Sequence, residues 1–261
     1  MEYKLGRSPV RIDARTLRFG TYLTAALPKA PASVAYQAKV PTWPMYDNDR
    51  YGDCTAAAAG HLIQSWTANA STEVTPADAT VLHFYEHFVG TPPPPDEGCN
   101  MLDVLHWWRH HGVGKHRIMN YSTLDLRNHT QAKDAVWLFG GLYLGVSLPD
   151  FAVAQGKDWL TIPWEVPHGG LHGTAAPNPD NGHCIPAVGY DAKHLYIVTW
   201  GALKQMSWAF YDAYAEESYA ILSHDFLGPD GTAPAGFDLA TLQADLLNVA
   251  DVPAADLVGA H

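Results

Sequence analysis

Cys54 stands where a polar loop turns abruptly into one of the best helix-forming runs a chain can carry, and this junction constrains everything around it. The loop is Asn48-Asp49-Arg50-Tyr51-Gly52-Asp53, and the run Cys54-Thr55-Ala56-Ala57-Ala58-Ala59 opens a helix expected to end near Asn69. Alanine has the highest helix propensity, and Ala58, Leu62 and Trp66 recur every four residues as a stripe for a core. A cysteine in the first turn lies where unsatisfied N–H groups and the helix dipole favour an anion. A thiol there can ionise closer to neutral pH than a free one. The alternative is that Cys54 is a small buried hydrophobe, a common fate for a free cysteine.

The chain has 261 residues, 47% of them apolar and 16% charged, enough for one large domain or two lobes sharing a cleft. A formal net charge of -11 argues against nucleic acid as a partner. The charge is uneven, with eight Lys/Arg against four Asp/Glu in the first fifty residues. The basic opening (Lys4, Arg7, Arg11, Arg15, Arg18) is therefore expected to lie against the acidic body as a strap, with no membrane contact. No apolar run is as long as a transmembrane helix, and charged residues interrupt the first thirty positions where a signal peptide would need an apolar stretch. A cytoplasmic location is the expectation, taking Met1 as the start. Cys54, Cys99 and Cys184 are odd in number and widely spaced, which fits a reducing compartment.

Residues 1–40 are proline-punctuated and read as an extended arm. Thr75-Pro76-Ala77-Asp78 reads as a helix start, with the helix ending by Gly90. A proline-rich loop at 91–98 leads to a helix from about Asn100 to His111, closed by Gly112 and Gly114. A short helix spans Thr130 to Phe139. Strands are expected at Leu142–Leu148, His183–Tyr190, His194–Thr199 and Ser218–Leu222, with a long Gly/Pro/His-rich loop from Pro163 to Asn181. Ser207 caps a helix to Tyr214, and a further helix at Leu239–Leu247 is expected in the tail, 223–261. Helices first and strands later describe an α+β architecture: a helical lobe over about 41–128, a β lobe over about 129–222, and a cleft between them.

A cysteine nucleophile needs a base and an oxyanion hole. Among fourteen histidines His183 is the best placed, because Asn181-Gly182 turns the chain just before it and an apolar strand follows. The residues carry a resemblance at this point. Asn48, five residues, then Cys54, with Gly52 between, is similar to the nucleophile motif of the papain-like cysteine peptidases, whose first residue is glutamine. Asn181-Gly182-His183-Cys184-Ile185-Pro186-Ala187-Val188-Gly189-Tyr190 is similar to that family's histidine motif, and Tyr196-Ile197-Val198-Thr199-Trp200-Gly201 resembles its next strand. Gly98-Cys99-Asn100 and the Trp107-Trp108 helix resemble its second helix. The resemblance spans about 41 to 222. It implies a papain-like fold, a helical lobe packed against an antiparallel β-sheet or barrel lobe. It also implies Cys54 as nucleophile and His183 as base, with Asn48 in place of the oxyanion glutamine and Thr199 in place of the asparagine that orients the histidine. Gly52, Asp53, Gly182, Trp200 and His172 would line the substrate, a peptide, amide or acyl compound, with no cofactor and no metal.

Three readings stay open: hydrolysis through a thioester, acyl transfer by the same pair, and a papain-fold protein that only binds. Histidines crowd two regions, His106, His110, His111 and His116, and His168, His172 and His183 with Cys184. These read as helix-surface and cleft-rim groups before they read as zinc ligands. Cys184 points away from His183 into the core, and Trp107, Trp108, Trp159, Trp164 and Trp208 read as packing residues. Whether the arm also covers the cleft and restrains the thiol is a hypothesis prompted by its basic charge against an acidic body, which the sequence does not decide.

Overall fold

The structure, a computed structural model, describes residues 3–21, 29–94, 97–154 and 162–237. Trp159 and the tail helix expected at Leu239–Leu247 lie outside these residues. The arm contributes two-residue strands, β1 (Leu17–Arg18) and β2 (Val34–Ala35). Helix α1 runs Cys54–Ala70, α2 Asp78–Val89 and α3 Met101–His110. Strand β3 (Ile118–Thr123), helix α4 (His129–Phe139), strand β4 (Leu142–Ser147) and the single turn α5 (Asp150–Val153) follow. After these come β5 (Gly182–Tyr190), β6 (His194–Thr199), β7 (Ala202–Ser207), α6 (Trp208–Tyr214) and β8 (Ala215–Ser223).

The strands form one sheet in the order β1-β3-β8-β4-β5-β6-β7, with β2 pairing on β5. It is antiparallel except for β1 on β3, and it stays open instead of closing into a barrel. Side chains alternate between its faces, as the two-residue period of a strand requires. Tyr143, Cys184, Val188, Tyr219 and Ile221 pack with α1, α2 and α3. Leu144, Val146, Ile185, Ala187 and Ala220 enter a second core with α4 and α6. Covered on both faces, β5 is buried along all nine residues, which is why its sequence is apolar without alternation.

The helix start read at Thr75 moves two residues on. Thr75 Oγ1 bonds Glu73 at 3.0 Å instead of accepting from the helix, and Ala77 holds the N-cap place with no side-chain cap. Asn100 and Asn128 do cap α3 and α4, accepting from Leu102 N at 3.0 Å and Thr130 N at 3.1 Å. Strands β3 and β7 are additions to the sequence reading. The helix read as carrying one apolar stripe is buried on every side from Cys54 to Ala68, the mark of a central helix. Among the described residues, no helix is long and apolar enough to cross a membrane.

Trp66 forms the floor of α1, fully buried and stacked on Trp108 with ring centroids 5.7 Å apart. Trp66→Ala is expected to cost about 3–5 kcal/mol, seen as a lower midpoint in urea unfolding.

Candidate active site

The first turn of α1 is fixed from both ends of the sequence. Tyr143 Oη on β4 donates to the Thr55 carbonyl at 2.9 Å. Ahead of the helix, Tyr46 and Asp47 take positive φ angles of 56° and 62°, costly for residues with side chains. Burial holds them there: Tyr46 is fully buried against α1, where a Cβ on Gly60 would come 2.8 Å from its ring. The turn carries Asn48 inward, and its amide donates to the Tyr51 carbonyl at 3.1 Å. Asp53 occupies the N-cap position without a side-chain cap bond. Burial pushes its carboxyl well above the usual carboxylate range, with the Asn48 side chain opposing the rise. Cys54 follows, 1% exposed, its thiol against the backbone N–H of Cys184.

His183 opens β5 one residue before that N–H. Its Nε2 lies 2.8 Å from Thr199 Oγ1 on β6, and the Trp200 ring stacks on the imidazole with centroids 4.4 Å apart. Among the described residues, His183 Nδ1 has no hydrogen-bond partner. Trp200 and Gly201 form the two-residue turn between β6 and β7, with φ of 45° and 70°. Such hairpin turns favour Asn-Gly, so a tryptophan in the first position is strained. Its ring is held between His183 and Tyr3, the latter at 5.0 Å, and its Nε1 donates to the Lys4 carbonyl at 2.8 Å.

Tyr3 and Lys4 belong to the arm, which runs between the Asn48–Gly52 loop on one side and Gly182 and Trp200 on the other. Lys4 N donates to the Asn48 carbonyl at 3.2 Å; Gly6 N and Arg7 N both donate to the Gly182 carbonyl, at 3.2 and 3.0 Å. Cys99 N donates to Gly6 at 2.9 Å, Ser8 N to Cys99 at 3.0 Å, and Asn100 Nδ2 to Pro9 at 2.9 Å. The passage is narrow because backbones touch backbones. A Cβ on Gly6 would stand 1.8 Å from the Gly52 carbonyl oxygen, one on Gly98 1.8 Å from that of Gly6, and one on Gly182 2.2 Å from that of Arg7. Arg7 and Arg11 reach acids of the body, Glu217 at 3.0 Å and Asp103 at 3.0 Å, while Arg15 pairs with Asp13 inside the arm.

The covered site is electrically quiet. Burial drives the Cys54 thiol up to about 12, and burial, helped by the Arg7 charge, drives His183 down to about 3. Both groups are therefore neutral through the physiological range. The structure brings Asn48, Gly52, Asp53, Cys54, Gly182, His183, Thr199 and Trp200 to one region. His172 is exposed on the loop before β5 and is not among them. Cys184 is buried in the α1-facing core. Arg7 is legible in the sequence only as one of the basic residues of the arm, and the sequence reading does not single out Glu216 and Glu217, although the adjacent acids are visible there.

The architecture is that of the papain-like cysteine proteases. Xylellain, a cysteine protease from Xylella fastidiosa, superposes with a TM-score of 0.61 at 16% identity, covering 85% of this chain and 96% of that one. Procathepsin B from Trypanosoma congolense gives 0.55 at 9% identity, over 85% and 87% of the two chains. The ragweed pollen cysteine protease Amb a 11 in its proform gives 0.56 at 15%, over 87% and 70%. These likenesses define a papain-like α+β fold. No family model matches the sequence, and no curated protein matches it.

Two measurements follow. Gly6→Ala is expected to expel the arm and raise the alkylation rate of Cys54 at pH 7 by about tenfold or more, the scale of an overpacking penalty. An unchanged rate would show that the arm does not restrain the thiol. The depressed His183 also sets a pH dependence. Between its ordinary value of 6.5 and about 3, the unfolded chain binds a proton that the folded chain does not, so stability is complete above pH 6.5 and falls as the pH drops toward 3. His183→Gln should flatten that slope in denaturation series across pH 3–7.

Proposed function

We propose that this chain is a cysteine hydrolase that cleaves peptide or amide bonds, with Cys54 as nucleophile and His183 as general base and acid. One observation carries the reading: a thiol at the dipole-positive end of a long helix lies against the residue following a histidine whose Nδ1 has no partner among the described residues. The fold shared with proteins named as cysteine proteases supports it.

In this scheme His183 Nε2–H donates to Thr199 Oγ1, leaving the Nδ1 lone pair to take the Cys54 proton. The thiolate attacks the carbonyl carbon, and the developing oxyanion is held by the Cys54 N–H and the Asn48 amide. The carbon–nitrogen bond breaks as Nδ1–H protonates the leaving amine, giving a thioester. Water, deprotonated at the same Nδ1, then attacks the thioester and releases the acid and the thiol. Trp200 shields the His183–Thr199 bond from water. Asn48 must swing from the Tyr51 carbonyl for its amide to serve the oxyanion, a movement that departure of Lys4 from the Asn48 carbonyl allows.

The filled cleft is the latent form. Charge separation between thiol and imidazole is unfavourable while both are buried beside Arg7; once the arm leaves, water returns and the cationic neighbour is gone. The test uses full-length Gly6→Ala and a set of fluorogenic peptide amides. Turnover is expected, with Cys54→Ala abolishing it and His183→Ala lowering kcat by about 10²–10⁴-fold, the usual share of general acid–base catalysis. The apparent pKa of Cys54 alkylation should drop below the free-thiol value of about 8.5 and return on His183→Ala. An ordinary slow thiol that ignores His183, with no turnover, would sink the hydrolase reading in favour of a papain-fold binding protein.

A further inference from the structure

The arm leaves in the cleft one side chain that the catalytic scheme does not use. The Arg7 side chain is 1% exposed, although arginine is among the residues least often buried. Its Nη1 donates to Glu217 Oε1 at 3.0 Å, and its Nη2 bonds Glu216 and donates to the Val146 carbonyl at 3.4 Å. Glu217 is 4% exposed and accepts from Tyr219 Oη at 2.8 Å. Room for the guanidinium comes from Gly145 on β4. A Cβ there would stand 2.8 Å from Arg7 Cδ, 2.7 Å from Glu217 Cγ and 2.8 Å from Met101 Sδ on α3.

A carboxylate this deeply buried is costly without a cation beside it. The chemistry of the hole therefore defines its occupant. The backbone bonds of the arm to Gly182 and Cys99 suit any extended peptide, since they use no side chain of the arm. Selection must come from what the side-chain pocket accepts. Two carboxylates and a carbonyl reached by one planar group fit the fork of arginine, and the single ammonium of lysine reaches fewer of them. The pocket is also close to the chemistry. Arg7 N shares the Gly182 carbonyl beside His183, and Gly6 lies on Gly52, two residues before Cys54.

We propose that the pocket formed by Glu217, Glu216, Gly145 and Met101 selects an arginine side chain in the peptides this cleft takes as substrates, and that Arg7 is its resident occupant. The arginine sits within one or two residues of the carbonyl presented to Cys54. Its role as a substrate determinant rests on the hydrolase reading; its role in binding rests on the pocket alone.

The test uses the full-length Gly6→Ala/Arg7→Ala protein, which vacates the trough. Two synthetic octapeptides, Tyr-Lys-Leu-Gly-Arg-Ser-Pro-Val and its citrulline counterpart, differ in charge and hardly in shape. Fluorescence anisotropy is expected to show the arginine peptide bound about 10- to 100-fold more tightly, the scale of a charge-assisted hydrogen bond. Adding Glu217→Gln should bring the ratio close to one. In fluorogenic amides carrying the same exchange, kcat/KM should follow the same ratio, with lysine between the two. Equal binding of both peptides, or binding of neither, overturns the proposal, and this comparison needs no carboxylate variant to fold. Selective binding without turnover and with an unreactive Cys54 would keep the pocket and remove the hydrolase reading.

Discussion

The start of α1 is held against β5, and the site depends on that contact. A helix N-terminus carries N–H groups with no partner in the helix. Here the Cys54 thiol in that first turn lies against the backbone of Cys184, in a strand buried along its whole length. The Tyr143 hydroxyl pins the same turn to β4. The strained backbone at Tyr46, Asp47 and Trp200 lies on either side of this contact. Tyr46 is held by its burial against α1 and Trp200 by the rings stacked on it, so tertiary packing stabilises conformations the local chain would avoid.

Burial works in two directions at this site. It orders the imidazole between Trp200 and Thr199, and it suppresses charge on both the thiol and the imidazole. A cleft that is closed by the chain's own backbone is therefore ordered and inert at once. The glycines at 6, 52, 98 and 182 make that closure close-fitting, since backbone atoms meet where any Cβ would intrude. Arg7, a large side chain of the arm, goes where acids await it.

Parts of this were legible in the chain because they are local. The loop-to-helix junction at Cys54, the helix starts near Asn100 and Thr130 and the cap at Ser207 are set by neighbours within four residues. The uniformly apolar β5 and the Val188-Gly189-Tyr190 that closes it announce a buried strand. Strands β3 and β7 escaped notice because Ile118–Thr123 and Ala202–Ser207 are half-exposed and polar, so they lack the apolar run that marks a central strand. The start of α2 was misplaced because Thr75 found Glu73, a competitor that local capping rules do not weigh.

The sequence by itself determined the long helices and the apolar strands, the helix-borne cysteine and a histidine at a strand's start, since propensity, periodicity and turn chemistry act over a few residues. Only the tertiary structure decided that residues 4–9 fill the cleft, that Trp200 is clamped between His183 and Tyr3, and that Arg7 meets Glu217 across 210 positions of chain. Those contacts owe nothing to sequence proximity. They arise because folding places the arm, β4 and β8 around one small volume, and the free energy of a buried charge depends on what shares that volume with it.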